Sequence, residues 1–219
     1  MSLENEVKIL SDNSVYRVTD LIHQRGVRWQ RDRAEILSNP KFKDTIMFDY
    51  LMEKEKEWDY ALLKRLIEKH TKKYNYPIPE ENELVVHLRM GDVVGEGDSC
   101  PGFEAINNMY KGFWDNLNPD QFNKATFVVA LHFGANDLTG QYYYSDKVKD
   151  DNFTILENIK KQTEDVGKEM NIYSSSEPDK DICYMAHARH YMKSMSELST
   201  IVSKCMVNDS DIYVTKSYK

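Results

Sequence analysis

The chain has 219 residues, 41% of them hydrophobic, enough to bury a real core as one large or two small domains. Its 36 acidic residues outnumber 29 basic ones for a net charge of −7, which argues against a nucleic-acid partner, because duplex binding needs clustered basic side chains that displace counterions. The longest apolar run, Phe127-Val128-Val129-Ala130-Leu131, is only strand length, so no membrane segment is expected.

Residues 1–13 are polar and read as a mobile terminus. From Val18 to Leu37 apolar residues recur at helical spacing around Arg25, Arg28, Arg31 and Arg33, with a stop at Asn39-Pro40. A second helical region is predicted from Lys43 to Lys73, where Ile46, Tyr50, Leu51, Trp58, Leu62, Leu66 and Ile67 fall on one stripe and Glu53-Lys54-Glu55-Lys56-Glu57 is a solvated face. Tyr76-Pro77-Ile78-Pro79 reads as a domain boundary, giving a mainly helical N-terminal region over 1–79 and a second domain over 80–219.

Beyond the boundary, strands are predicted near 83–89, 125–132, 171–174, 190–194 and 211–214, and helices near 104–117, 152–169, 178–189 and 197–207. Such alternation predicts an α/β fold, a Rossmann-like parallel sheet with helices on both faces and a ligand crevice at its topological switch point. Asp150-Asp151 is expected where a loop enters a helix, as capping charge. Cys100, Cys183 and Cys205 are widely spaced, which suggests neither a disulfide framework nor a zinc site but free thiols in a cytoplasmic or other reducing compartment; a lumenal location would require an anchor outside this sequence.

The run Leu84-Val85-Val86-His87-Leu88-Arg89-Met90-Gly91-Asp92 carries the most chemistry. An apolar strand empties into a glycine turn with a cation beside a carboxylate, and ligands of open α/β sheets sit past the carboxyl ends of such strands. Glycine lets the chain turn sharply, and the forked, permanently charged guanidinium of Arg89 suits a phosphate oxygen. An ordinary strand end, with Arg89 paired to Asp92 across the turn, is the bland alternative. The segment from Gly91 to Gly102, with Gly95, Gly97 and Pro101, reads as a loop over the site or a plain solvent-exposed connection.

This run resembles the H-x-R-x-G-D motif of the superfamily of α1,2-, α1,6- and protein O-fucosyltransferases. A second segment, Asp181 to Ser199, is similar to the same family's closing motif, with Asp181, Met185, Arg189, His190, Ser196 and Ser199 in place without a gap. The resemblance implies that residues 80–219 are the donor half of a GT-B fold and residues 1–79 a reduced acceptor half. It implies transfer of fucose from a GDP-fucose donor to a hydroxyl of a glycan or glycoprotein acceptor, with inversion, no bound cofactor and no metal. Arg89 would hold the β-phosphate, Ser196 or Ser199 would donate to the same phosphate, Asp181 would accept from the guanine edge, and His87 and Gly91 would line the nucleotide pocket. Glu96 is the first candidate for the base that takes the acceptor proton, with Asp98 or Asp92 as substitutes. The chain departs from the family at Met90, where many relatives carry a second arginine, and at Met195, Glu197 and Leu198. A non-catalytic GDP-sugar-binding module, or a fragment of a larger glycosyltransferase, is the alternative that these departures keep open.

Other residues are weighed beside the motifs. His132 could touch a ligand from another strand end or be a satisfied rim histidine; Tyr142-Tyr143-Tyr144 could stack a sugar or pack under their own loop. Ser174-Ser175-Ser176-Glu177 could contact the donor or make a turn and helix cap, and His187 reads as structural.

Overall fold

In the computed structural model the described residues are 3–10, 34, 36–53, 59–95, 101–132 and 145–216. Residues 3–10 are not the free terminus that polarity suggested. A single turn, α1 (Leu3–Glu6), and a short strand, β1 (Ile9–Leu10), are held because Leu3 and Val7, four positions apart, bury their side chains in the core. The helix expected over 18–37 falls mostly outside the described residues.

The long helix expected over 43–73 is interrupted. Helix α2 (Ile46–Glu53) precedes α3 (Tyr60–Tyr74), which starts afresh because Asp59 adopts an extended conformation and its carboxylate accepts from the Leu62 N–H at 2.9 Å. Asn75, left-handed at φ 50°, ends α3 ahead of Pro77. The predicted stripe of Ile46, Tyr50, Leu51, Leu62, Leu66 and Ile67 is buried, and Trp58 lies outside the described residues.

The second half alternates as expected: β2 (Glu83–His87), α4 (Gly102–Tyr110), β3 (Lys124–Val128), β4 (Leu131–His132), α5 (Asp146–Asp165), β5 (Met170–Tyr173), α6 (Pro178–Ala186), β6 (His190–Lys193), α7 (Glu197–Lys204) and β7 (Asp211–Val214). Helix α5 begins earlier than predicted, capped by Ser145, so Asp150 and Asp151 sit in its second turn and Asp146 occupies the first. No helix among the described residues is long and apolar enough to cross a membrane.

Five strands form one sheet in the order β5-β3-β2-β6-β7, every neighbouring pair parallel. This sheet begins at its central strand β2, from which the chain steps outward through β3 to β5, then returns across β2 to build β6 and β7. Because parallel crossovers are right-handed, this reversal sends the helices to opposite faces. Helices α4 and α5 cover one face around Leu84, Val86, Phe127 and Met192, while α2, α3, α6 and α7 cover the other around Val85, Val128 and Tyr191. The helices of the N-terminal region therefore share a core with the sheet. All five residues of β2 are buried, as a strand covered on both faces requires. At the carboxyl ends β1 pairs in parallel with β4, carrying the start of the chain over that edge.

The switch point of this order lies between β2 and β6, where neighbouring crossovers part to opposite faces, the position at which open α/β sheets form their ligand crevice.

Candidate functional site at the strand switch point

One wall of the crevice is the turn after β2. The Leu88 N–H donates to the Val128 carbonyl at 3.0 Å, extending the ladder past His87, and the Arg89 N–H donates to the buried Tyr110 hydroxyl at 2.7 Å. Gly91 then turns the chain at φ 86°, ψ −122°, a conformation that side chains strongly disfavour. The buried amide of Asn152 on α5 grips that turn from below: its oxygen accepts from the Gly91 N–H at 2.7 Å and its nitrogen donates to the Gly91 carbonyl at 3.2 Å. The guanidinium of Arg89 is half-buried. It donates to the Met90 carbonyl at 2.8 Å and pairs with Asp92 Oδ1 at 2.7 Å, so the pairing across the turn is present. Met90 is 1% exposed and packs with Leu88 and Val94 in the α4–α5 core.

The opposite wall is the turn after β6. Ser196 caps α7, its Oγ accepting from the Ser199 N–H at 3.0 Å. Ser194 is buried, and its Oγ lies 2.8 Å from His87 Nδ1. Ser196 Oγ is 3.4 Å from the same nitrogen and 3.3 Å from Ser194 Oγ. The two motifs, a hundred residues apart in sequence, thus meet through His87. Burial holds the His87 imidazole at a pKa of about 3, assisted by the nearby Arg89 charge, so the ring is neutral. Ser199 is fully enclosed instead: its hydroxyl is 2.8 Å from the Tyr191 hydroxyl and accepts from the Ser194 N–H at 3.0 Å, which makes it part of the frame behind the turn. Glu197 is exposed in the first turn of α7.

Asp181 stands apart from these two turns, on the first turns of α6 beyond the carboxyl end of β5, two strands from β2. Its Oδ1 is buried and makes no hydrogen bond. Burial pushes the carboxyl up to about 8, opposed by Ser175 and Lys180 and reinforced by Glu177. Ser175 closes a turn on Glu177, accepting from its N–H at 2.8 Å, and Ser174 accepts from the Lys8 N–H at 2.8 Å. His187 Nδ1 contacts the Cys183 carbonyl at 2.8 Å, in keeping with a structural role.

His87, Arg89, Gly91, Asp92 and Ser196 are therefore gathered at the switch point, Ser199 lies behind it and Asp181 to one side. Glu96, Asp98 and Tyr142-Tyr143-Tyr144 lie outside the described residues, as does the side chain of His132. Ser194, Asn152 and Tyr110 carry contacts that the motifs did not single out. Asn152 had a signal, since it interrupts the apolar stripe of Val148, Ile155, Leu156 and Ile159 on α5. No group of three or more His, Cys, Asp or Glu among the described residues could hold a metal ion. No protein-family model, curated protein or solved structure was found to match this chain.

Proposed function

We propose that the protein is an inverting glycosyltransferase that transfers fucose from GDP-fucose to a sugar or protein hydroxyl, its residues 80–219 acting as the donor half of a GT-B fold. The observation that carries this reading is the meeting of His87 and Ser194, 2.8 Å apart, which joins the two fucosyltransferase-like segments at the switch point of an all-parallel sheet.

In this reading the diphosphate sits between the two turns. Arg89 pairs with the β-phosphate, and the Ser196 hydroxyl and the N-terminus of α7 offer further donors to the charge that develops as the glycosidic bond breaks. His87 is a neutral spacer that orients the serine hydroxyls and adds no charge. Asp181 receives the N–H groups of the base. The acceptor's proton passes to a carboxylate within hydrogen-bond reach, Glu96 first, since Asp92 is engaged by Arg89.

Calorimetry with GDP, GDP-fucose and UDP, followed by an assay of donor hydrolysis, tests the reading. GDP is expected to bind at least tenfold tighter than UDP, Arg89→Ala to lose that binding, and GDP-fucose to release fucose slowly. An Arg89→Ala protein that binds GDP like the parent refutes the site.

A second reading, a GDP-sugar-binding module without turnover, is favoured by the burial of Met90, which leaves Arg89 without a neighbouring cation at that position. Binding without fucose release distinguishes it.

A further inference from the structure

Asp181 is not the only polar group left open beneath α6. Asn171 and Tyr173 point to the same face of β5, the alternate residues Met170 and Ile172 packing into the opposite core. The Asn171 Nδ2 and the Tyr173 hydroxyl are buried without a hydrogen-bond partner, as is Asp181 Oδ1. Tyr173 and Asp181 are close enough for the carboxylate to disfavour ionisation of the phenol, after burial the largest influence on it. Tyr173 is also fixed in orientation. Its ring stacks on Tyr184 of α6 with centroids 4.0 Å apart and planes 11° from parallel.

Buried polar groups are ordinarily paired, and an orphan costs the desolvation of that group. Two of these unpaired atoms, from Tyr173 at the end of β5 and Asp181 on the helix that follows, lie at one strand end, and Asn171 is two residues further in on the same face, so together they offer polar partners to a guest. An amide nitrogen donates, a phenol donates or accepts, and a carboxyl accepts or, when protonated, also donates. A planar edge that carries a carbonyl beside an N–H, the lactam edge of a nucleobase, answers all three.

We infer that Tyr173, with Asn171, is a specificity-determining contact for the lactam edge of a nucleobase whose N–H groups meet Asp181. The inference rests on the nucleotide reading above and adds residues that neither motif contains. Tyr173 ends β5 and Asp181 follows on α6, at the same carboxyl-end edge of the parallel sheet as the Arg89 turn, so one nucleotide would run along that edge from base to diphosphate.

The test is calorimetry of the parent and of Tyr173→Phe with GDP, ADP and inorganic pyrophosphate. The phenylalanine keeps the ring stacked on Tyr184, and a parental Tm shows that the fold is kept. Tyr173→Phe is expected to weaken GDP about tenfold while leaving ADP, which lacks a lactam edge, and pyrophosphate unchanged. Equal weakening of all three, or undiminished preference for GDP over ADP, overturns the role of Tyr173 while the diphosphate site stands. A parent that binds neither GDP nor pyrophosphate overturns the nucleotide reading and this inference together.

Discussion

His87 Nδ1 and Ser194 Oγ, 2.8 Å apart, stitch the end of β2 to the end of β6. Removing the hydroxyl leaves a buried imidazole nitrogen with only the longer contact to Ser196. Ser194→Ala is therefore expected to lower stability by about 1–3 kcal/mol, read from the urea midpoint. The same ring sets a limit in acid. Unfolded chains protonate histidine near 6.5 and the native state only near 3, so the unfolded state binds more protons between these values and stability falls as pH drops through that window. The Tm lost between pH 7 and pH 4.5 should shrink in His87→Asn; an unchanged loss would mean that the ring is charged or exposed.

Met90→Arg tests whether a second cation can be restored beside Arg89. The side chain points into the core with Leu88 and Val94, so the substitution buries an unpaired charge and should cost about 3 kcal/mol or more. A variant of parental stability with tighter GDP binding would show that the side chain faces the crevice.

Ser196 and Ser199 should separate cleanly. Ser196→Ala removes a helix cap, costing about 1 kcal/mol, and should also weaken GDP severalfold. Ser199→Ala orphans the Ser194 N–H and leaves the Tyr191 hydroxyl only the Met185 sulfur at 3.6 Å, costing about 1–3 kcal/mol, with GDP affinity unchanged once the protein is folded. Isothermal titration of both variants below their Tm reads the difference, and the reverse pattern would exchange their roles.

Asp181 acts on stability in the sense opposite to His87. Its native carboxyl holds a proton up to about pH 8, whereas the unfolded one releases it near 3.8, so the native state binds more protons in between and stability declines as pH rises through that range. The groups around it are Ser175, Glu177, Lys180 and the Tyr173 phenol. Asp181→Asn mimics the protonated form and should flatten this decline, gaining about 1–3 kcal/mol at pH 8 over the parent. Thermal melts from pH 5 to pH 8.5 measure it; parallel curves for the two proteins would place the carboxylate in water.

Much of the layered fold was legible because it is written in local periodicity. The apolar run ending at His87 became the central strand, and the alternation after residue 80 became an all-parallel sheet clothed by helices. Spacing alone could not show that Asp59 restarts a helix, since an N-cap is indistinguishable in sequence from one more charge on a solvated face. Nor could polarity reveal that Leu3 and Val7 find a core supplied by distant residues. The candidate site was legible only as a cluster in sequence, at His87, Arg89 and Gly91, which the structure places at the end of β2 and on the turn after it. Ser194 and Tyr173 were not, because a serine or tyrosine at a strand end acquires meaning only once the strand order says which ends are neighbours.

The central strand has a temporal consequence. Leu84 is bonded on one side to Ala125 and on the other to His190, which the ribosome delivers about a hundred residues after it. At about 5–20 residues per second, that delay lasts about 5–20 s, during which Leu84, Val85 and Val86 offer an apolar, half-paired edge to whatever is nearby. Nascent chains of this protein should therefore depend on chaperone cover until β6 emerges, and the two turns can meet only after Ser194 and Ser196 have followed it.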